Sequence, residues 1–172
     1  MKKLLFGSLV LCLISCGTES AKTESENATS GTEAVSYGYP VKYSKFEMAD
    51  VSYSQKIAEL WKDYDENMLD RHVEYFADTI TMEYPGWKNT GPRDTMLAGI
   101  KADRGIYSSC QSSIIGIISA LNTDEAGPRN FVMVWGSEKK TSDDGTMDST
   151  MVNEVWGFNK DGKVNYVSQF RQ

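Results

Sequence analysis

The chain has little of what metal and redox sites are made from. Its 172 residues include one histidine and three cysteines. There is no C-x-x-C pair and no second histidine, so the ligand spacing of a zinc site or redox motif is missing, and no metal or cofactor is implied. Basic clusters are scarce as well. No Lys/Arg run exceeds a pair, and the formal net charge is −6. Nucleic-acid binders neutralise phosphates with clustered Lys and Arg, so this balance argues against nucleic acid as a partner. No apolar run approaches the roughly 20 residues of a membrane-crossing helix. What remains is ordinary for one globular domain with a tail: 40% hydrophobic and 11% aromatic residues.

Residues 1–15 read as an export signal. Lys2 and Lys3 form a charged start, and residues 4–14 form a short apolar stretch. The stretch closes on Leu13-Ile14-Ser15-Cys16-Gly17, which resembles a bacterial lipobox. That resemblance implies cleavage before Cys16 and lipidation of its thiol. Loss of two lysines takes the charge from −6 to −8. Several acyl chains on one cysteine would hold the protein at a membrane without crossing it. The implied location is the bacterial cell envelope, at the outer membrane. Cys12 leaves with the signal, so Cys110 stands alone and no internal disulfide is possible. Residues 17–36 are rich in Ser, Thr, Glu and Gly without apolar periodicity, the composition of a disordered tether. Residues 37–50 regain aromatics and are expected to dock on the domain, which runs over 37–172.

Periodicity organises that domain. Ile57, Leu60, Trp61 and Tyr64 recur at helical spacing, which predicts an amphipathic helix over about 53–66, with Ser52-x-x-Gln55 as a capping box. Leu69, Val73 and Phe76 predict a shorter second helix, with His72 a partly covered residue beside its stripe. Ile80, Met82 and Tyr84 alternate with Thr79, Thr81 and Glu83 as in a strand, which Pro85-Gly86 ends. A loop follows. Gly91-Pro92 then opens a third helix with Met96, Leu97 and Ile100 buried. Residues 114–118 and 131–135 are apolar on both faces, the mark of strands covered on both sides. Ser142-Asp143-Asp144-Gly145 and Asn159-Lys160-Asp161-Gly162 are turns around strands over 147–158 and 164–171. Helices early and strands late predict an α+β fold. The second covered face calls for a cover, and a second copy of the chain is the simplest one.

Phe76-Ala77-Asp78, then Glu83-Tyr84-Pro85-Gly86 with Gly91, then Trp156-Gly157-Phe158 before Asp161-Gly162 resemble the nuclear transport factor 2-like superfamily. The likeness is to its SnoaL-like and ketosteroid isomerase-like branch and runs from about residue 53 to the end. The resemblance implies a cone: a curved, mainly antiparallel sheet packed against three N-terminal helices around a pocket, often a homodimer through the sheet. It also implies positions for isomerase machinery. The carboxylate base would fall on Tyr84, the oxyanion tyrosine on Leu60 and the oxyanion acid on Glu154. A phenol with an ordinary pKa of about 10 is a poor base near neutral pH. Two of three groups are therefore missing, and steroid isomerisation is rejected.

The candidate ligand-binding residues are Met82, Tyr84, Trp87, Glu154, Trp156 and Arg171. If they face inward, Glu154 and Arg171 would form a polar pair in an aromatic pocket. Three readings follow. The first is a lipid-anchored domain that binds a small, partly apolar molecule without catalysis. The second is an acid–base enzyme, a cyclase, hydratase or isomerase, using Glu154 with Tyr84 as a hydrogen-bond donor. The third is a membrane-tethered module that docks another protein.

Overall fold

The first helix shows how the chain is pinned at both ends of an element. In the computed structural model, which describes residues 38–124 and 129–172, α1 spans Val51–Asp65. Its N-cap is Asp50, whose carboxylate accepts from the Ser52 N–H at 2.8 Å. The cap thus lies two residues before the predicted box. Ile57, Leu60 and Trp61 are its buried stripe. The C-terminal carbonyls, which have no partner inside a helix, are met by a buried guanidinium. Arg104 donates to the carbonyls of Tyr64 at 2.7 Å and Asp65 at 3.0 Å, and to that of Tyr107 at 2.7 Å.

The predicted second helix does not form. Asn67 takes a left-handed conformation (φ 57°). The segment then wraps the buried Asp63 carboxylate, which accepts from Arg71 at 3.1 Å and meets His72 Nδ1 at 2.7 Å. One 3-10 turn, Val73–Tyr75, is all that remains helical, and Phe76 already belongs to a strand. The three-helix expectation is corrected: the described residues hold two α-helices and this turn. The second, α2, spans Arg93–Gly105, with Pro92 at its N-cap rather than inside its first turn.

Among the described residues, seven strands make one curled, mixed sheet. They are β1 (Phe46–Met48), β2 (Phe76–Tyr84), β3 (Trp87–Pro92), β4 (Tyr107–Asn122), β5 (Arg129–Ser142), β6 (Met147–Phe158) and β7 (Val164–Arg171). Their order is β1-β4-β5-β6-β7-β2-β3. All neighbours are antiparallel except β2 and β7, which run parallel. Two strands go beyond the sequence pattern. β3 replaces the loop after Pro85-Gly86: Gly86 adopts φ 78°, the chain turns at once, and Trp87 pairs with Tyr84. β1 lies in the aromatic segment 37–50. Tyr43 and Phe46 pack on Phe131, with ring centroids 5.8 and 6.3 Å away.

Side chains alternate across the sheet with period two. On β5, Val132, Val134, Gly136, Glu138 and Lys140 are buried, while Met133 and Trp135 are exposed. The buried rows meet α1 and α2 in a core that includes Ile57, Trp61, Met96, Val134, Val152 and Trp156. β4 carries a bulge between Ile114 and Gly116, which turns Ile115 outward, 61% exposed. Gly116 then lies under the Trp135 ring, which an added Cβ would meet at 2.1 Å. The compact unit spans Tyr39–Gln172. The export signal, Cys16 and the whole tether lie outside the described residues. Among those described, no helix is long and apolar enough to cross a membrane.

Candidate functional site

The register across β5, β6, β7, β2 and β3 assembles a wall. One row runs Val132, Trp156, Val167, Met82, Asn89; the next includes Val134, Glu154 and Gln169. Between this wall and helices α1 and α2 lies a cavity of about 750 Å³. All six predicted residues line it: Met82, Tyr84, Trp87, Glu154, Trp156 and Arg171. Leu60, Trp61, Phe76, Met96 and Leu97 complete its apolar side. Trp87 is 47% exposed and packs on Tyr84 with ring centroids 5.4 Å apart.

Glu154 is 6% exposed, and both of its oxygens are occupied. Oε2 accepts from the indole N–H of Trp61 at 2.7 Å and of Trp156 at 2.8 Å. Oε1 accepts from the Gln169 amide at 2.6 Å. Removal from water raises its pKa above the ordinary value, against the pull of these three donors. The carboxylate thereby joins α1 to β6 and β7. The helical spacing places Trp61 only on a buried stripe. A buried indole N–H needs an acceptor, and a glutamate on a facing strand is the natural one, so the signal was present.

Arg171 does not pair with Glu154. Gln169 stands between them: it donates to Glu154 and its Oε1 accepts from Arg171 Nε at 2.6 Å. The partner of Arg171 is Glu138, with Nη2 3.3 Å from Oε2. Glu138 was missed because the apolar run on β5 breaks after Trp135. Continuing the alternation from Val132 and Val134 through Gly136 would have placed it inside. Lys140 Nζ lies 3.4 Å from the same oxygen and donates to Tyr64 Oη at 2.9 Å, which in turn donates to Asp103 at 2.9 Å. A polar chain thus runs along one side of the cavity.

Tyr84, where the resemblance leads us to expect the isomerase base, is pushed up to about 12 by burial and by the nearby Glu154 charge. It stays a neutral phenol near neutral pH. Leu60, where the resemblance leads us to expect the oxyanion tyrosine, is a buried lining residue. Asp63 also lines the cavity, but both its oxygens are held by Arg71 and His72. Among the described residues no three His, Cys, Asp or Glu side chains gather as metal ligands. Cys110 is a buried free thiol, pushed up by burial.

Solved structures share this fold. A protein of unknown function from Exiguobacterium sp., described as NTF2-like (nuclear transport factor 2-like), superposes with a TM-score of 0.51 at 16% identity, covering 67% of this chain and 97% of that one. Another NTF2-like protein, from Burkholderia pseudomallei, gives 0.53 at 16% identity, covering 68% and 88%. The fold is NTF2-like. An LEH-like epoxide hydrolase from M. tuberculosis gives 0.54 at 10% identity, covering 71% and 84%. No family model and no curated protein matches the sequence. At these identities the NTF2-like likeness speaks for the fold alone.

Proposed function

We propose that the NTF2-like cone binds a small, largely apolar molecule and does not turn it over. The observation that carries this reading is the state of Glu154. It is the one carboxylate at an isomerase position, and each of its oxygens already accepts an N–H. It works as a strut that holds Trp61, Trp156 and Gln169 at the cavity wall. Glu138, the other buried glutamate of the cavity, is held in ion pairs with Arg171 and Lys140, and Tyr84 stays a neutral phenol. A volume of about 750 Å³ with mostly apolar walls suits a drug-sized ligand.

The test is a naphthalene titration followed by tryptophan fluorescence, since Trp61 and Trp156 line the cavity. Saturable binding at one molecule per chain is expected. Gly99 lines the same cavity from α2, with open space where a Cβ would go, so Gly99→Trp should abolish binding and leave the fold intact. Failure of naphthalene to bind, or binding untouched by Gly99→Trp, would contradict the reading.

One observation favours a second reading, an acid–base enzyme. Glu154 lines the cavity and holds its proton more tightly than usual, and the fold also occurs in a protein named as an epoxide hydrolase. That reading requires turnover, for example of a cyclic ketone, which Glu154→Gln abolishes while binding persists.

The lipid anchor on Cys16 and an outer-membrane location belong to the same proposal, with mass spectrometry of the cell-derived protein as their test. So does a homodimer through the sheet. Its support is the outer face, where Ile115, Trp135 (38% exposed), Met133, Met151 and Phe170 lie open on neighbouring strands. Trp135→Glu should shift sedimentation from dimer to monomer. A monomeric parent protein would remove the idea and leave that face to the docking of another protein.

A further inference from the structure

The cavity holds two buried glutamates, and the second has a use that the first does not. Glu138 is 9% exposed and lines the cavity from β5. Its Oε2 lies between Arg171 Nη2 at 3.3 Å and Lys140 Nζ at 3.4 Å. These are ion-pair distances, yet Oε2 accepts no hydrogen bond and is shut off from the cavity. Oε1 has no partner among the described residues and is the oxygen a ligand would meet. Arg171 is used in the same one-sided way. Nε donates to Gln169 and Nη2 pairs with Glu138, while Nη1 has no partner among the described residues. Arg171 lines the cavity too.

The charges here are closed. Glu138 and Asp103 face Arg171 and Lys140, two of each sign, linked by ion pairs of 3.3, 3.4 and 3.9 Å. The hydrogen-bond valences are not closed. Neighbouring residues present one free acceptor and one free donor. An anionic head gains little from a guanidinium already balanced by a carboxylate, and it must also approach Glu138, Asp103 and Glu154. A cationic head meets Arg171 and Lys140. A neutral head with an N–H and a C=O on adjacent atoms satisfies both free groups without adding charge.

We infer that Glu138 and Arg171 form the head-group site of this cavity, selecting a neutral amide-type ligand, a carboxamide or lactam on an apolar body, over the corresponding carboxylate. The inference rests on the binding reading given above. It assigns specificity to Glu138 and leaves Glu154 as the strut.

The experiment compares three probes of one shape, naphthalene, 2-naphthamide and 2-naphthoate, on the full chain and two variants. The parent should hold 2-naphthamide about tenfold more tightly than 2-naphthoate, the scale of one charge-assisted hydrogen bond. Glu138→Gln frees the Arg171 charge, so 2-naphthoate should gain about tenfold while naphthalene is unchanged. Arg171 is partly exposed at the end of β7, so its replacement leaves the core packing in place. Arg171→Gln should cost 2-naphthamide about tenfold, again with naphthalene unchanged. A parent that prefers 2-naphthoate overturns the inference. So do variants that leave both ratios within about threefold. In either case naphthalene still binds, and the cavity reading stands. If no probe binds, naphthalene included, that reading fails and the head-group site falls with it.

Discussion

Glu154 and Glu138 sit on adjacent strands of the same inner face, both nearly closed to solvent, yet they are held in opposite ways. Glu154 is surrounded by neutral donors and has every oxygen engaged. Glu138 is surrounded by charges and has none of its oxygens properly hydrogen-bonded. The first arrangement is rigid and joins three elements. The second balances charge and keeps direction in reserve. A buried polar group with all valences filled specifies structure, whereas one with open valences is where a ligand can be recognised.

The sharpest break in that comparison is Glu154→Ala. It leaves the N–H groups of Trp61, Trp156 and Gln169 facing a void, at a cost of about 4 kcal/mol. Urea unfolding measures it, and a loss under about 1 kcal/mol would mean that Glu154 is no strut. Trp61→Phe removes one of the three donors and part of the packing on Gly136, where the indole lies 3.1 Å from an ideal Cβ position. Its cost should be about 2 kcal/mol, with the Glu154 pKa rising further in a carbon-detected NMR titration. Glu138→Ala should cost less, about 2 kcal/mol, because Lys140 keeps Tyr64 and Asp103 and the half-exposed Arg171 is left to solvent. Equal losses for the two alanine variants would erase the distinction.

The smallest effect concerns pH. Glu154 has a folded pKa above its unfolded value of 4.5, so the folded protein keeps this proton when the unfolded chain has released it. Its contribution to stability is therefore full below pH 4.5 and declines as pH rises from there through the folded pKa. Glu154→Gln, which resembles the protonated form, should lack that decline. Stability curves of parent and variant that run parallel above pH 4.5 would contradict the assignment.

Much of this was legible in the sequence. The 3.6-residue spacing of Ile57, Leu60 and Trp61 and the alternation around Met82 and Val167 fix which faces are buried, and so bring Met82, Glu154 and Trp156 to one wall. Pairing, by contrast, leaves little local trace. β3 is an edge strand with mostly exposed residues, Trp87 to Thr90, and only its partner β2 defines it. The parallel contact of β2 with β7 joins segments more than eighty residues apart, which no periodicity encodes. The turn around Asp63 replaced a helix because side-chain hydrogen bonds from Arg71 and His72 competed with the backbone ladder. Glu138 and Lys140 were hidden by their charge: an inward charge breaks the apolar pattern by which an inner face is recognised.

The most direct test of the account is a crystal structure of the protein saturated with naphthalene. The predicted result is one ring between Met82, Trp156 and Leu97, with Trp61, Trp156 and Gln169 still bonded to Glu154 and with Glu138 open beside it. Naphthalene bound elsewhere, or a Glu154 carboxylate released from its three donors and turned onto the ring, would contradict it.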